Sequence, residues 1–119
     1  MPYKYCEIYR YGESQPLFSR ISIPVSFFQR AKGLLGKNGL VEHQGMLFKD
    51  CNSIHMMGMK EPLDIVFLLP NAKIIKCVES VKPWRMAFCS KAKMTLELPA
   101  GTIKKVGLSP IMKLEINHL

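Results

Sequence analysis

The stretch Ser53 to Leu69, SIHMMGMKEPLDIVFLL, decides how the chain is read. Its second half, Leu63 to Leu69, is a near-continuous apolar run of strand length. Such a run, rich in branched and aromatic residues, is the pattern of a strand buried on both faces. Glu61-Pro62 sets its start, because the residue before a proline is pushed out of the helical region. Asp64 lies inside the run, so its carboxylate is expected to be buried and to need a partner. The first half carries His55 with Met56, Met57 and Met59, which reads as an extended lead-in to that strand.

The flanking sequence repeats the strand pattern. Tyr3 to Tyr11 alternates, with Tyr3, Tyr5, Glu7, Tyr9 and Tyr11 on one side and Lys4, Cys6, Ile8 and Arg10 on the other. Gly12-Glu13-Ser14 signals a turn, and about Leu17 to Ile23 returns as a second strand. Gly45 to Phe48, a segment ending at His55, Lys73 to Lys82, Met94 to Leu98 and Met112 to Ile116 complete the set. Within Lys73–Lys82, Ile75, Cys77 and Val81 are expected on one side, with Ile74 and Val78 offset. Glu97, between two leucines, is expected to face solvent or a basic neighbour across strands. Pro83-Trp84-Arg85 marks a break.

One helix is expected over about Pro24 to Leu35. Proline suits the first helical turn, Phe27, Ala31, Leu34 and Leu35 share a face, and Gly36 is a C-cap. Arg30 sits beside that face, where it can lay its stem on the core and aim its head at a carboxylate such as Asp64. A further helical turn is expected after Pro99-Ala100-Gly101. The fold class is therefore mainly β (α+β): a small antiparallel or mixed β-barrel, or half-open sandwich. It has about seven or eight strands and one or two short helices. At 119 residues the chain is expected to form one domain, residues 1–119, with no linker that suggests a second.

The 17 basic residues, 13 of them Lys, outnumber 9 acidic ones for a net charge of +8. The lysines are scattered, which is the pattern of a solvated surface, and Arg, the better residue for forked phosphate contacts, is scarce. Nucleic-acid binding is disfavoured on that ground. Cys6, Cys51, Cys77 and Cys89 form no C-x-x-C pair, and free thiols are expected. The amino-terminal residues lack the apolar core of a signal peptide, and no run reaches the ~18 apolar residues of a membrane span. A cytoplasmic protein without membrane insertion is the expectation, and a monomer.

Seven residues could carry chemistry. Asp64 and His55 could act as a general acid–base pair if they meet in a pocket. Trp84 and Arg85 are residue types enriched at binding rims, and Arg30 completes a candidate ligand-binding set of Arg30, His55, Asp64, Trp84 and Arg85. His55, Met57 and Met59 form a weak Cu(I) candidate, because thioether sulfur suits a soft metal; core filling explains the methionines more simply. No cofactor is expected. Phosphate-loop, G-x-S-x-G and H-E-x-x-H motifs are absent. A non-enzymatic module binding a small ligand or a protein segment is thus favoured over an enzyme.

In order along the chain, Arg30 to Leu35 (RAKGLL), Gly45 to Phe48 (GMLF), Ile54-His55 with Gly58-Met59, and Pro62 to Phe67 (PLDIVF) resemble the domain-of-unknown-function 192 family. Pro83-Trp84-Arg85 and Leu96 to Gly101 (LELPAG) continue the resemblance, over about residues 20–116. It implies a small, mostly β domain and no established activity, substrate or cofactor. Two departures from the family pattern are visible. Met56 and Met57 replace a threonine and an aromatic after the histidine, and Ser109 to Met112 stands where the family often has Gly-Asp.

Overall fold

The computed structural model describes residues 4–24, 45–56 and 61–119. The expected helix from Pro24 to Leu35, with Arg30, lies almost wholly outside the described residues, as do Met57 and Met59. Nine strands and one short helix are described: β1 (Lys4–Arg10), β2 (Pro16–Ile23), β3 (Gly45–Lys49), β4 (Ser53–His55), β5 (Leu63–Leu68), β6 (Ile74–Val81), β7 (Met86–Phe88), β8 (Met94–Pro99), α1 (Thr102–Val106) and β9 (Leu114–His118).

Seven strands form one curled sheet in the order β6-β5-β8-β3-β2-β1-β9, and β4 pairs with β7 in a separate two-stranded ribbon. All pairings are antiparallel except β2 with β3, where Ile21 lies beside Gly45. Residues 24–44 separate those two strands and supply the length a parallel connection needs. The curl brings the two edge strands together at one point. Lys73, just before β6, bridges Lys113, just before β9. The Leu114 N–H donates to the Ala72 carbonyl (3.0 Å), and the Ile74 N–H to the Met112 carbonyl (2.8 Å). The architecture is a half-barrel, as the strand pattern leads one to expect.

Strand alternation then divides the apolar residues between two cores. Val66 and Leu68 of β5 join Leu47, Leu96, Leu98 and Ile8 inside the half-barrel. Leu63, Ile65 and Phe67 project from the other face and meet Ile54 and Ala87 of the β4–β7 ribbon. Strand β5 is therefore covered on both sides, and all six of its residues are buried. That is why its sequence is a continuous run rather than an alternation. In β1, Cys6 and Ile8 point inward, and Tyr9 and Glu7 pair outside (3.1 Å).

Strand β6 departs from the expected phase. Leu63 and Ile65 face Val81 and Val78, and Phe67 and Leu68 face Lys76 and Ile74, so β6 carries an extra residue at two places. Each bulge shifts the alternation by one. Ile75, Val78 and Val81 consequently pack on the ribbon side, whereas Ile74 and Cys77 face the half-barrel interior.

Strand β3 runs through the centre of the sheet, between β2 and β8, and starts at a glycine for lack of space. A Cβ on Gly45 would lie 2.5 Å from the Glu97 carbonyl oxygen and 2.8 Å from Leu98 Cδ2.

Candidate functional site

Asp64 is fully buried, and both its oxygens are occupied. Oδ1 accepts the Ser80 N–H (2.8 Å) and Oδ2 accepts the Ile103 N–H (2.9 Å). Ser80 is the bulge residue of β6, held at φ 51°. Ile103 lies in the first turn of α1, whose N-cap, Gly101, has no side chain to offer. Asp64 thus caps α1 from a neighbouring strand and pins the β6 bulge with its other oxygen. Its partners are backbone amides, and the carboxylate is sealed away from any open pocket.

His55 is placed elsewhere. It ends β4 on the ribbon, is exposed, and lies opposite Met86. The hydrogen-bond ladder continues beyond it. The Met56 N–H donates to the Arg85 carbonyl (2.7 Å) and the Trp84 N–H to the Met56 carbonyl (2.8 Å). His55, Trp84 and Arg85 are therefore brought to one end of the ribbon, while Asp64 lies inside the main sheet and its neighbours. The ribbon's inner face, Ile54 and Ala87, is buried; its outer face carries His55, Met86 and Phe88.

The turn leading into β7 is unusual. The Arg85 N–H donates to the Lys82 carbonyl (3.1 Å), with Pro83 and Trp84 in the two central positions. Trp84 has φ 69°, the left-handed value that the third residue of a type II turn requires and that glycine normally supplies. Its indole is 72% exposed, Met86 is 55% exposed and Phe88 58%. Lys76 reaches across to donate to the Phe88 carbonyl (2.9 Å), with its ammonium 5.7 Å from the Phe88 ring centroid.

Two buried polar atoms were not anticipated from sequence. Glu97, expected to face solvent, is 3% exposed, and its Oε1 has no hydrogen-bond partner. The reason is position: β8 lies between β3 and β5, so Glu97 sits between Met46 and Ile65 on the sheet's outer face. Burial pushes its carboxyl up to about 8, so it is protonated and neutral at pH 7. Ser22 Oγ is buried and unpartnered as well, and Ser22 lies in the same cross-sheet row, on the other side of Met46. A Leu-Glu-Leu triplet looks like ordinary alternation, and no local signal distinguishes it from a strand with one wet face.

The cysteines are free thiols. Burial pushes Cys6 and Cys77 up to about 11, so neither is an activated nucleophile. Among the described residues no three His, Cys, Asp or Glu side chains gather as a metal site. Met56, 1% exposed, fills core space beside Ile54. No helix among the described residues is long and apolar enough to cross a membrane.

A family model described as an uncharacterised ACR, DUF192, matches residues 11–116. The chain belongs to the DUF192 family. A search of curated proteins returns no match. Two solved structures share the DUF192 chain's fold. One is a candidate transcription regulator of Sinorhizobium meliloti 1021, 25% identical, with a TM-score of 0.78 over 97% of this chain and 94% of that one. The other is a protein of unknown function from Novosphingobium aromaticivorans DSM 12444, 21% identical, with a TM-score of 0.74 over 93% of this chain and 83% of that one.

Proposed function

We propose that this DUF192 chain is a non-enzymatic binding module whose contact surface is the outer face of the β4–β7 ribbon. The occupant is a protein segment carrying apolar and acidic side chains. One observation carries the reading: Trp84 is held in a left-handed conformation that disfavours it, and its indole points into solvent rather than into either core. A bulky residue kept at such a cost is a pointer to function. Met86 and Phe88 continue the exposed apolar row, which is the composition of a contact surface and not of a solvated strand. Lys82 and Arg85 stand close to Trp84 in the sequence and are exposed, so acidic groups on the partner are favoured.

The acid–base alternative needs His55 and Asp64 to share an open pocket. Asp64 is committed to two amides and buried, whereas His55 is exposed on the ribbon. A second reading, nucleic-acid binding, draws on the net charge of +8 and on the description of the Sinorhizobium neighbour. Binding to duplex DNA that falls steeply with added salt is the result that would favour it.

A displayed-peptide selection tests the main reading. Wild-type protein is expected to enrich peptides that combine aromatic or aliphatic residues with Asp or Glu. Trp84→Gly combined with Phe88→Ser is expected to lose those peptides while folding normally. Equal capture by the folded variant overturns the proposal.

A further inference from the structure

Among the described residues the edge strands of the half-barrel join at one point, and the opening beside that point is a cleft of about 600 Å³. That is within the usual size range of small-molecule sites. One wall is β9. The other is formed by the ends of β3 and β8, and the turn Pro70-Asn71-Ala72 lies between them. Strand alternation fixes what enters it. Leu114 belongs to the interior core, so Ile116 and His118, two and four residues further on, share its inward face. Leu47 is likewise interior, which turns Lys49 inward at the end of β3; Met94 enters from β8. The cleft therefore has an apolar floor of Met94, Leu114 and Ile116 and a basic head of Lys49 and His118.

The two basic groups touch. Lys49 Nζ lies in hydrogen-bond contact with His118 Nε2. Among the described residues, no carboxylate forms an ion pair with Lys49; Asp50, next in sequence, instead pairs with Lys93 at the rim (3.9 Å). Lys113 also lines the cleft, with its ammonium 4.5 Å from the Tyr11 ring centroid. Glu115 lines it too, but alternation places it on the opposite face of β9 from Ile116 and His118. Burial, then the Lys49 and Lys4 ammoniums, hold the His118 imidazole below its ordinary pKa. Asp50 and Glu115 supply carboxylates at the edge of the cleft, but among the described residues neither forms an ion pair with Lys49 or His118, so an anion at the mouth of the apolar slot would complement the Lys49 ammonium.

We infer that this cleft binds a small organic anion, a carboxylate with an apolar tail, whose head lies against Lys49 and His118 and whose tail runs over Met94, Leu114 and Ile116. The site is separate from the ribbon surface, and neither claim depends on the other. Isothermal titration calorimetry with three probes tests it: octanoate, octylammonium and inorganic phosphate. Octanoate is expected to bind, phosphate to bind more weakly for want of a tail, and octylammonium not to bind. Lys49→Met is expected to weaken octanoate at least ~10-fold, the equivalent of about 1.4 kcal/mol. Lys104→Met, on the exposed face of α1, is expected to leave it unchanged. Lys49 is exposed, so loss of folding is not expected, and far-UV circular dichroism checks it. No octanoate binding to wild type overturns the inference. So does octylammonium or phosphate binding as tightly as octanoate, or an unchanged affinity in Lys49→Met.

Discussion

Asp64 shows how far a single residue can be read from sequence. A carboxylate inside LDIVFL had to be buried and partnered, and it is. Backbone amides and Arg30 were both open as partners, with Arg30 favoured; Arg30 lies outside the described residues, and the observed partners are the amides of Ser80 and Ile103. Backbone donors carry no side-chain signature, and these two exist only because a bulge and a helix start happen to meet over β5. Asp64→Ala leaves both amides buried without an acceptor and is expected to destabilise the protein by about 3 kcal/mol, read as a lower urea midpoint. A change under ~1 kcal/mol would show that water replaces the carboxylate. Trp84→Gly relieves the left-handed strain and removes few contacts, so it is expected to raise stability by up to about 1 kcal/mol. A loss of stability would mean that the indole is anchored on the protein surface. Glu97 gives a pH dependence whose sign is opposite to that of a paired carboxylate. Its folded pKa of about 8 lies above the ordinary 4.5, so the folded state holds a proton that the unfolded state releases. Stability is full below the lower value and falls as pH rises through that window, by up to about 1.4 kcal/mol per unit. Glu97→Gln is expected to flatten the profile and to be the more stable protein at the upper end. Parallel profiles for the two proteins would mean that Glu97 finds a partner for its charge.

At the scale of the element, the strands with plain patterns were legible and the irregular ones were not. β1, β2, β5 and β8 fall where alternation or a continuous apolar run places them. β6 was found, but its faces were not, because two bulges shift the alternation and Ile75 joins Val78 and Val81 instead of Cys77. A bulge is set by the partner strand and leaves no mark in a hydrophobic pattern. β7 was missed altogether: Met86-Ala87-Phe88 is three residues long and its outer two are exposed, which reads as loop. Yet this short strand carries the apolar row on which the proposed function rests. β3 offers a sharp test of packing. Gly45→Ala drives a methyl group into the Glu97 carbonyl oxygen, a backbone atom that cannot swing aside. The expected cost is about 2 kcal/mol or more in thermal or urea unfolding. A neutral substitution would require β3 and β8 to part more easily than a central pair should.

For the whole molecule, the half-barrel was legible because many short strands and hairpin-length connections admit few other architectures. What the sequence could not convey is the division of labour between the two faces of one sheet. The inner face closes a core that opens at the cleft beside β9. The outer face is covered in part by the β4–β7 ribbon, whose own outer side remains apolar and exposed. His55, Asp64, Trp84 and Arg85 came from one sequence-level set, and the fold separates them: Asp64 holds structure together, and the other three meet at the end of the ribbon. On the proposed reading, binding takes place on that ribbon. An NMR titration of the wild-type protein with a peptide recovered from the displayed library measures it directly. The largest amide shifts are expected at His55, Arg85, Met86 and Phe88, with the Trp84 indole N–H moving alongside them. Shifts centred on another surface, with the Trp84 indole unmoved, would contradict it.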